Sequence, residues 1–200
     1  MPAVLIAVDP GKASGFAVYD LTTRKVLEAA CYADVVDLVT AAKSAMSRYE
    51  DYQVVIEQAR AYRLAGNDIA DTCQLCGFLM SALGGTLPVP VEGLVGVSRC
   101  GDRMYALTRG AICTRLGQSL GERVQGGGVW RALCELHGAG RGATKAEALA
   151  VASAADRAYA KASKKPADHA RAATAVAFVL YLLLRDWDVI PTTYPGDNNV

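Results

Sequence analysis

Residues 3–20 read AVLIAVDPGKASGFAVYD, and this stretch decides the fold class. The run at 3–8 is apolar and rich in β-branched residues, which predicts a buried strand. Asp9 ends this run, and the Pro-Gly pair that follows turns the chain into a second strand-like stretch at 15–20. A third strand-like stretch lies at 25–31, after a tight turn. The three strand-like stretches within 3–31 therefore predict an antiparallel meander.

Strand and helix patterns alternate in the rest of the chain. The predicted helices are 34–49, 72–83, one that begins at the capping box Thr144-Lys-Ala-Glu147, and 167–184; the predicted strands are 53–57 and an edge strand at 86–91. A meander followed by strand–helix units predicts an α/β domain with a mixed β-sheet flanked by helices. We expect this domain to span 1–188, with 93–129 containing a candidate insertion, and 189–200 to form a loose tail.

The composition narrows the class of protein. Hydrophobic residues make up 52% of the 200 residues, so a folded core is expected rather than disorder. The first residues lack the basic segment of a signal peptide, and no apolar run is long enough to span a bilayer. We therefore expect a cytoplasmic protein of a bacterial or phage-infected cell, with an organelle as the alternative, and no membrane contact. The six cysteines are then expected to be reduced thiols.

The distribution of charge is more informative than the net charge, which is only +1. Between Arg99 and Lys145 the chain carries eight basic residues against three acidic ones. Such a stretch could follow a phosphate backbone. A set of solvated helix faces is the equally valid alternative when charge alone is considered.

Carboxylates stand at the ends of two predicted strands. Asp9 closes the first strand and Glu57 closes the strand at 53–57, so both are held on rigid backbone at the edge where α/β proteins place their sites. Asp168 and His169 begin the last helix, where an acid can also serve as an ordinary cap. Clustered carboxylates repel one another and need a cation, and Mg²⁺ prefers carboxylate oxygens and phosphates. This pattern favours metal-dependent phosphodiester chemistry.

The motifs, taken in order, resemble those of the RuvC-type Holliday junction resolvases, within the RNase H-like superfamily. The matching segments are Ile6-Ala-Val-Asp9-Pro-Gly11-Lys-Ala-Ser-Gly15-Phe-Ala-Val18, Val54-Val-Ile-Glu57, Trp130-Arg131, Gly138-Ala-Gly-Arg-Gly-Ala-Thr-Lys145 and His169-Ala-Arg-Ala-Ala-Thr-Ala-Val-Ala177. The two segments around Arg131 and Lys145 are similar to those of the phage-like branch. The resemblance covers most of the chain except 93–129 and the tail.

The resemblance implies an RNase H-like fold and a homodimer that cuts four-way DNA junctions in recombination and repair by two-metal-ion hydrolysis. It implies Mg²⁺, or Mn²⁺, bound by Asp9 and Glu57, with Asp168 and His169 as further candidates for metal binding and catalysis. The candidate DNA-binding residues are Arg131, Arg141, Thr144, Lys145, Tyr62 and Arg63. The last two follow Glu57 and could stack on or clasp DNA, with core packing as the equal alternative for the tyrosine.

The final helix departs from the family pattern at one position. Family members carry an acid or a histidine and then an aspartate three positions later, among small residues. If His169 opens the motif, the small residues match and the expected aspartate falls on Ala172; if Asp168 opens it, the aspartate falls on Arg171. Positions 169 and 172 lie roughly 60° apart around a helix, close enough to share a site. In either register one ligand is missing, which makes a catalytically inactive junction-binding protein the main alternative.

Two other interpretations rank lower. An acid-x-glycine after a strand also occurs in sugar-kinase-like ATPases, but these need further glycine-rich phosphate loops and usually a longer chain. Cys73, Cys76, Cys134 and His137 have the spacing of a zinc-binding quartet, although the first pair lies on an apolar helix, so we favour packing in the core.

Overall fold

The computed structural model describes residues 2–59, 67–115 and 144–186. Seven strands form one mixed sheet with the order β3-β2-β1-β4-β7-β6-β5. They are β1 (Val4–Asp9), β2 (Ser14–Asp20), β3 (Lys25–Tyr32), β4 (Tyr52–Gln58), β5 (Val89–Pro90), β6 (Val97–Arg99) and β7 (Met104–Thr108). The first three strands form the predicted antiparallel meander, and β1, β4 and β7 run parallel to one another.

Helices cover both faces of the sheet. They are α1 (Val35–Arg48), α2 (Asn67–Ala82), α3 (Arg109–Arg115), α4 (Thr144–Ser163) and α5 (His169–Asp186). The core on one face includes side chains of α1 and α2, and the core on the other includes side chains of α3, α4 and α5. None of the helices in the described ranges is long and apolar enough to cross a membrane.

Strand β1 is the centre of this arrangement because both of its faces are covered. All six of its residues are buried. Side chains alternate across a strand, so Leu5 and Ala7 join the core beneath α5, whereas Val4, Ile6 and Val8 join the core beneath α1 and α2. The continuous apolar run is the sequence signature of a strand buried on both sides.

The α/β class with a mixed sheet flanked by helices is confirmed. Five predicted strands are present, the predicted edge strand ends the sheet as β5, and the predicted helices agree with α1, α2, α4 and α5 within a few residues at their ends. Residues 97–99 and 104–108 lie in the stretch predicted to contain an insertion, and they form β6 and β7 of the sheet. The rest of that stretch from 116, and the predicted tail, lie outside the described residues.

Candidate active site

The first two site residues come from neighbouring parallel strands. Asp9 is the last residue of β1, and Glu57 is the next-to-last residue of β4. The register pairs Val8 with Ile56, so the two acids stand side by side at the carboxyl ends of their strands. Both continue the alternation that places Ala7 and Val55 in the core beneath α5, and they therefore project toward that helix.

The two carboxyl groups are in hydrogen-bond contact, which requires a proton between them when no cation is present. Both residues are 8% exposed. Burial raises the pKa of Asp9 well above its usual value, and the neighbouring charges of Glu57 and, more weakly, Asp168 raise it further. Ionisation of both carboxyl groups is unfavourable in the absence of a cation, and a bound cation would stabilise the doubly ionised pair.

A basic residue, Arg109, already faces this pair. It is the first residue of α3 and directly follows β7, which pairs with β4 so that Leu107 stands opposite Glu57. Its Nε donates to Oε1 of Glu57 at 2.6 Å, and its charge partly counteracts the rise in the pKa of Asp9. The Arg109 side chain is 42% exposed, whereas that of Glu57 is 11% exposed.

The start of α5 closes the other side of the cleft. Asp168 caps this helix, with its carbonyl oxygen accepting from the Ala172 amide at 2.9 Å, and His169 is the first helical residue. A cleft of about 300 Å³ is lined by Asp9, Pro10, Gly11, Ala13, Arg109, Asp168, His169 and Ala172. Ala172 therefore faces the same space as the acids, whereas Arg171 does not line it.

Arg171 instead pairs with a buried acid on α4. Asp156 is 3% exposed, and its Oδ2 accepts from Nε of Arg171 at 2.8 Å. The same carboxylate accepts from the backbone amides of Ala170, at 2.9 Å, and Arg171, at 3.4 Å. It thus satisfies amides of the first turn of α5 that lack partners within the helix. One helix turn further on, the ring of Tyr159 meets the ring of His169 edge-on at 6.1 Å.

A glycine allows α5 to approach the sheet this closely. A Cβ atom on Gly15 of β2 would lie 1.9 Å from the carbonyl oxygen of His169, far inside van der Waals contact. The absence of a side chain at this position therefore lets the helix start pass directly over β2. The loop before it is tightened by Ser14, whose Oγ accepts from the amide of Gly11 and donates to its carbonyl oxygen.

Comparison with known proteins gives the fold this geometry belongs to. The Thermus thermophilus RuvC structure matches 92% of this chain and 96% of its own chain, with a TM-score of 0.52 and 12% sequence identity. The chain has a RuvC-like fold. The predicted RNase H-like α/β class is thereby confirmed, whereas membership of the phage-like branch stays a prediction. No protein-family model matches the chain, and no curated protein matches it.

Within this RuvC-like fold, the described candidate residues come together and several others lie elsewhere. Asp9, Asp168 and His169 line one cleft, and Glu57 interacts with Asp9. No group of three or more His, Cys, Asp or Glu side chains that could hold a metal ion occurs within the described ranges. The remaining candidates, Tyr62, Arg63, Arg131 and Arg141, lie outside the described residues. Thr144 and Lys145 begin α4, but only their backbone is described.

Two residues of the zinc-like spacing, Cys134 and His137, also lie outside the described residues. The other pair sits on α2 next to β4. The Cys76 thiol is buried and donates to the carbonyl oxygen of Glu57 at 3.4 Å, and the Cys73 thiol donates to that of Ala59 at 3.5 Å. Burial raises the pKa of Cys76 to about 11, which favours the protonated thiol over a metal-binding thiolate.

Arg109 of the site and Asp156, which holds the start of α5, were not singled out from the sequence. Arg109 was counted only as one of the basic residues, because the short strand β7 before it was not recognised. The signal that could have found it is the sequence MYALT at 104–108, five buried residues directly before the arginine. Asp156 has no local signal, because its partners on α5 lie 14 and 15 positions further along the chain.

Proposed function

We propose that this chain is a magnesium-dependent endonuclease that cuts branched DNA at four-way junctions, acting as a homodimer. The observation that carries the proposal is the contact between Asp9 and Glu57 at the ends of adjacent parallel strands, beside Asp168 and His169, in a RuvC-like fold. The motif resemblance supports the choice of DNA junctions as the substrate.

The acidic pair fits a divalent cation in its chemistry. Mg²⁺ commonly uses one or two protein carboxylates and completes its shell with water and substrate phosphate. Asp9 and Glu57 would hold the ion, since its charge would replace the proton that they otherwise share. A bound ion supplies Lewis acidity and lowers the pKa of a coordinated water. Mn²⁺ suits the same oxygen donors.

The other residues of the cleft would orient the reacting groups. His169 lines the same cleft as Asp9, and its ring packs edge-on against that of Tyr159, so its imidazole would be placed to accept a proton from an attacking water. Asp168 adds negative charge near Asp9 and would strengthen the attraction for cations.

The second candidate function is junction binding without cleavage. The specific observation in its favour is Ala172, which lines the cleft where the family resemblance expects an aspartate. Alanine provides no oxygen, so a second ion would lack a protein ligand on that side. In this alternative the chain would recognise a branched DNA and leave it intact.

A cleavage assay with a paired binding assay separates the two functions. Purified protein is incubated with a four-way junction or a linear duplex of the same sequence, in Mg²⁺, Mn²⁺ or EDTA. The nuclease proposal predicts metal-dependent strand cuts in the junction, and binding of the junction in EDTA. Junction binding without cuts in either metal would support the inactive alternative, and the absence of both would contradict the whole assignment.

The DNA contacts can be tested through their salt dependence. Phosphate contacts release counterions, so junction affinity should fall steeply with salt. Replacing Arg131, Arg141 or Lys145 with alanine should each reduce the slope of log affinity against log salt by about one unit. Arg48→Ala is a matched control, because this arginine pairs with Glu28 and is not among the candidate DNA-binding residues. An unchanged slope for all three variants would remove these residues from the interface.

A further inference from the structure

We infer that Arg109 is a displaceable counter-ion of Glu57: it holds this carboxylate in the metal-free protein, gives it up when a divalent cation binds, and then contacts a phosphate of the substrate. The inference deepens the proposed nuclease function and rests on it. It assigns a role to a residue outside the acid and histidine motif.

Arg109 lies at the same edge of the sheet as the two acids. Three adjacent parallel strands end beside one another, and each brings a charged residue to this edge of the sheet: Asp9 from β1, Glu57 from β4 and Arg109 from the residue after β7. The arginine lines the cleft together with Asp9 and Asp168. It therefore lies where a cation and a phosphate would both have to be accommodated.

The arginine and a metal ion would compete for the carboxylate of Glu57. Nε of Arg109 donates to Oε1 of Glu57 at 2.6 Å, the short distance of a charge-assisted hydrogen bond. A divalent ion bound by Asp9 and Glu57 needs carboxylate oxygens of the same pair and carries twice the charge of a guanidinium. The two cations repel each other, so binding of the metal weakens the arginine contact, and the arginine in turn weakens metal binding.

The arginine side chain is much more exposed than the carboxylate that it contacts. Its side chain is 42% exposed, whereas the Glu57 side chain is 11% exposed and fixed on a central strand. The long arginine side chain can change rotamer into the open cleft without disturbing the core. A guanidinium matches phosphate oxygens through two parallel N–H donors, which makes phosphate the chemically fitting new partner.

The primary test measures metal affinity in the absence of DNA. Mn²⁺ alone is titrated calorimetrically into the wild-type chain and into Arg109→Ala and Arg109→Lys. We expect Arg109→Ala to bind Mn²⁺ about fivefold more tightly, the upper range for removing one partly exposed ion pair. Arg109→Lys should stay within about twofold of wild type, because it keeps the positive charge. An unchanged or weaker affinity for the alanine variant would overturn the inference.

The second measurement tests the phosphate contact. Junction binding is compared in Ca²⁺, a hard oxygen-binding cation. Arg109→Ala should bind the junction at least fivefold more weakly in Ca²⁺ and equally well in EDTA. Equal binding to wild type in Ca²⁺ would overturn the phosphate part of the inference.

Arg48→Ala is the matched control, since Arg48 forms a comparable pair with Glu28, at 2.5 Å with a 48% exposed side chain. It should leave both metal and junction affinity unchanged. Circular dichroism and thermal unfolding confirm that each variant folds. The metal titration does not depend on cleavage. A wild-type chain that binds Mn²⁺ but never cuts DNA would contradict the nuclease proposal alone. The competition between Arg109 and the metal would still be decided by the affinities of the variants.

Discussion

Within the described ranges, two clusters bring buried carboxylates together with an arginine, and they differ in their balance of charge. At the junction of α4 and α5, Asp156 alone faces Arg171, and backbone amides satisfy the rest of its oxygens. At the ends of β1 and β4, Asp9 and Glu57 share one arginine, with Asp168 adding a further negative charge. The first cluster is neutral, and the second has an excess of negative charge.

This difference separates a structural ion pair from a candidate site. The Asp156 side chain is 3% exposed, and its oxygens accept from α5 and from the Cys31 thiol. Burial, more than the adjacent carboxylate, raises the pKa of Cys31 to about 12 and keeps it as a thiol. Asp9 of the acidic pair instead lines an open cleft, and burial, followed by the charge of Glu57, raises its pKa. A neutral cluster has little to gain from a ligand, whereas the negative cluster gains from any cation that reaches it.

The largest expected effect would come from removing an acid of the negative cluster. Asp9→Asn should reduce metal-dependent junction cleavage by roughly a thousandfold or more, about 4 kcal/mol of transition-state stabilisation, because an amide holds a cation poorly. Junction binding in EDTA should be unchanged. Asp37→Asn, an exposed acid of α1, is the control and should cut as wild type. Normal cleavage by Asp9→Asn would show that the negative cluster is not the active site.

Removing the acid of the neutral cluster should lower the stability of the fold. Asp156→Ala leaves Arg171 and two backbone amides without their acceptor, so the free energy of unfolding should fall by about 3 kcal/mol. Chemical denaturation measures this loss. Asp20→Ala is a useful comparison, because Asp20 also accepts from two backbone amides, those of Thr22 and Thr23, but in an exposed turn. It should cost about 1 kcal/mol, and an equal loss at both sites would mean that burial and the ion pair add nothing.

The third prediction adds an acid to each cluster. Ala172→Asp places a carboxylate in the cleft and should raise magnesium-dependent cleavage by roughly a hundredfold, since it supplies the ligand that the resemblance expects. Arg171→Asp is the control for the other register. It should lower stability and leave cleavage unimproved, because Arg171 pairs with Asp156 away from the cleft. Rescue by the Arg171 variant alone would reverse the register of the final helix.

The smallest expected effect is the change in the free energy of unfolding when asparagine replaces the aspartate of each cluster. This change should have opposite signs in the two clusters. Asn in place of Asp9 can donate an N–H to Glu57 without first taking up a proton. Asp9→Asn should therefore raise the free energy of unfolding in EDTA at pH 8 by about 1 kcal/mol, or roughly 2–4 °C in Tm. Asp156→Asn should lower it, since the ion pair with Arg171 is lost. Loss of stability in both variants would erase the distinction between the clusters.

The sequence by itself determined the meander, most helices and the acids of the site. These features are local: the run at 3–8 shows a strand buried on both faces, and Asp9 and Glu57 are visible because each ends such a strand. The break at 163–166 likewise places Asp168 and His169 at the start of a helix. Each of these features depends only on residues within a few positions of one another, so it can be recognised without knowledge of the tertiary contacts.

Only the tertiary structure decided which groups face one another. Arg109 reaches Glu57 across 52 positions of sequence because β7 pairs in parallel with β4. Cys31 and Asp156 meet across 125 positions because α4 lies on β3. The rotation of α5, which brings Ala172 to the cleft and Arg171 to α4, is fixed by Asp156 and by the close approach over Gly15. Helical periodicity gives the angle between neighbouring side chains, and contacts with other elements are needed to choose which of them faces the site.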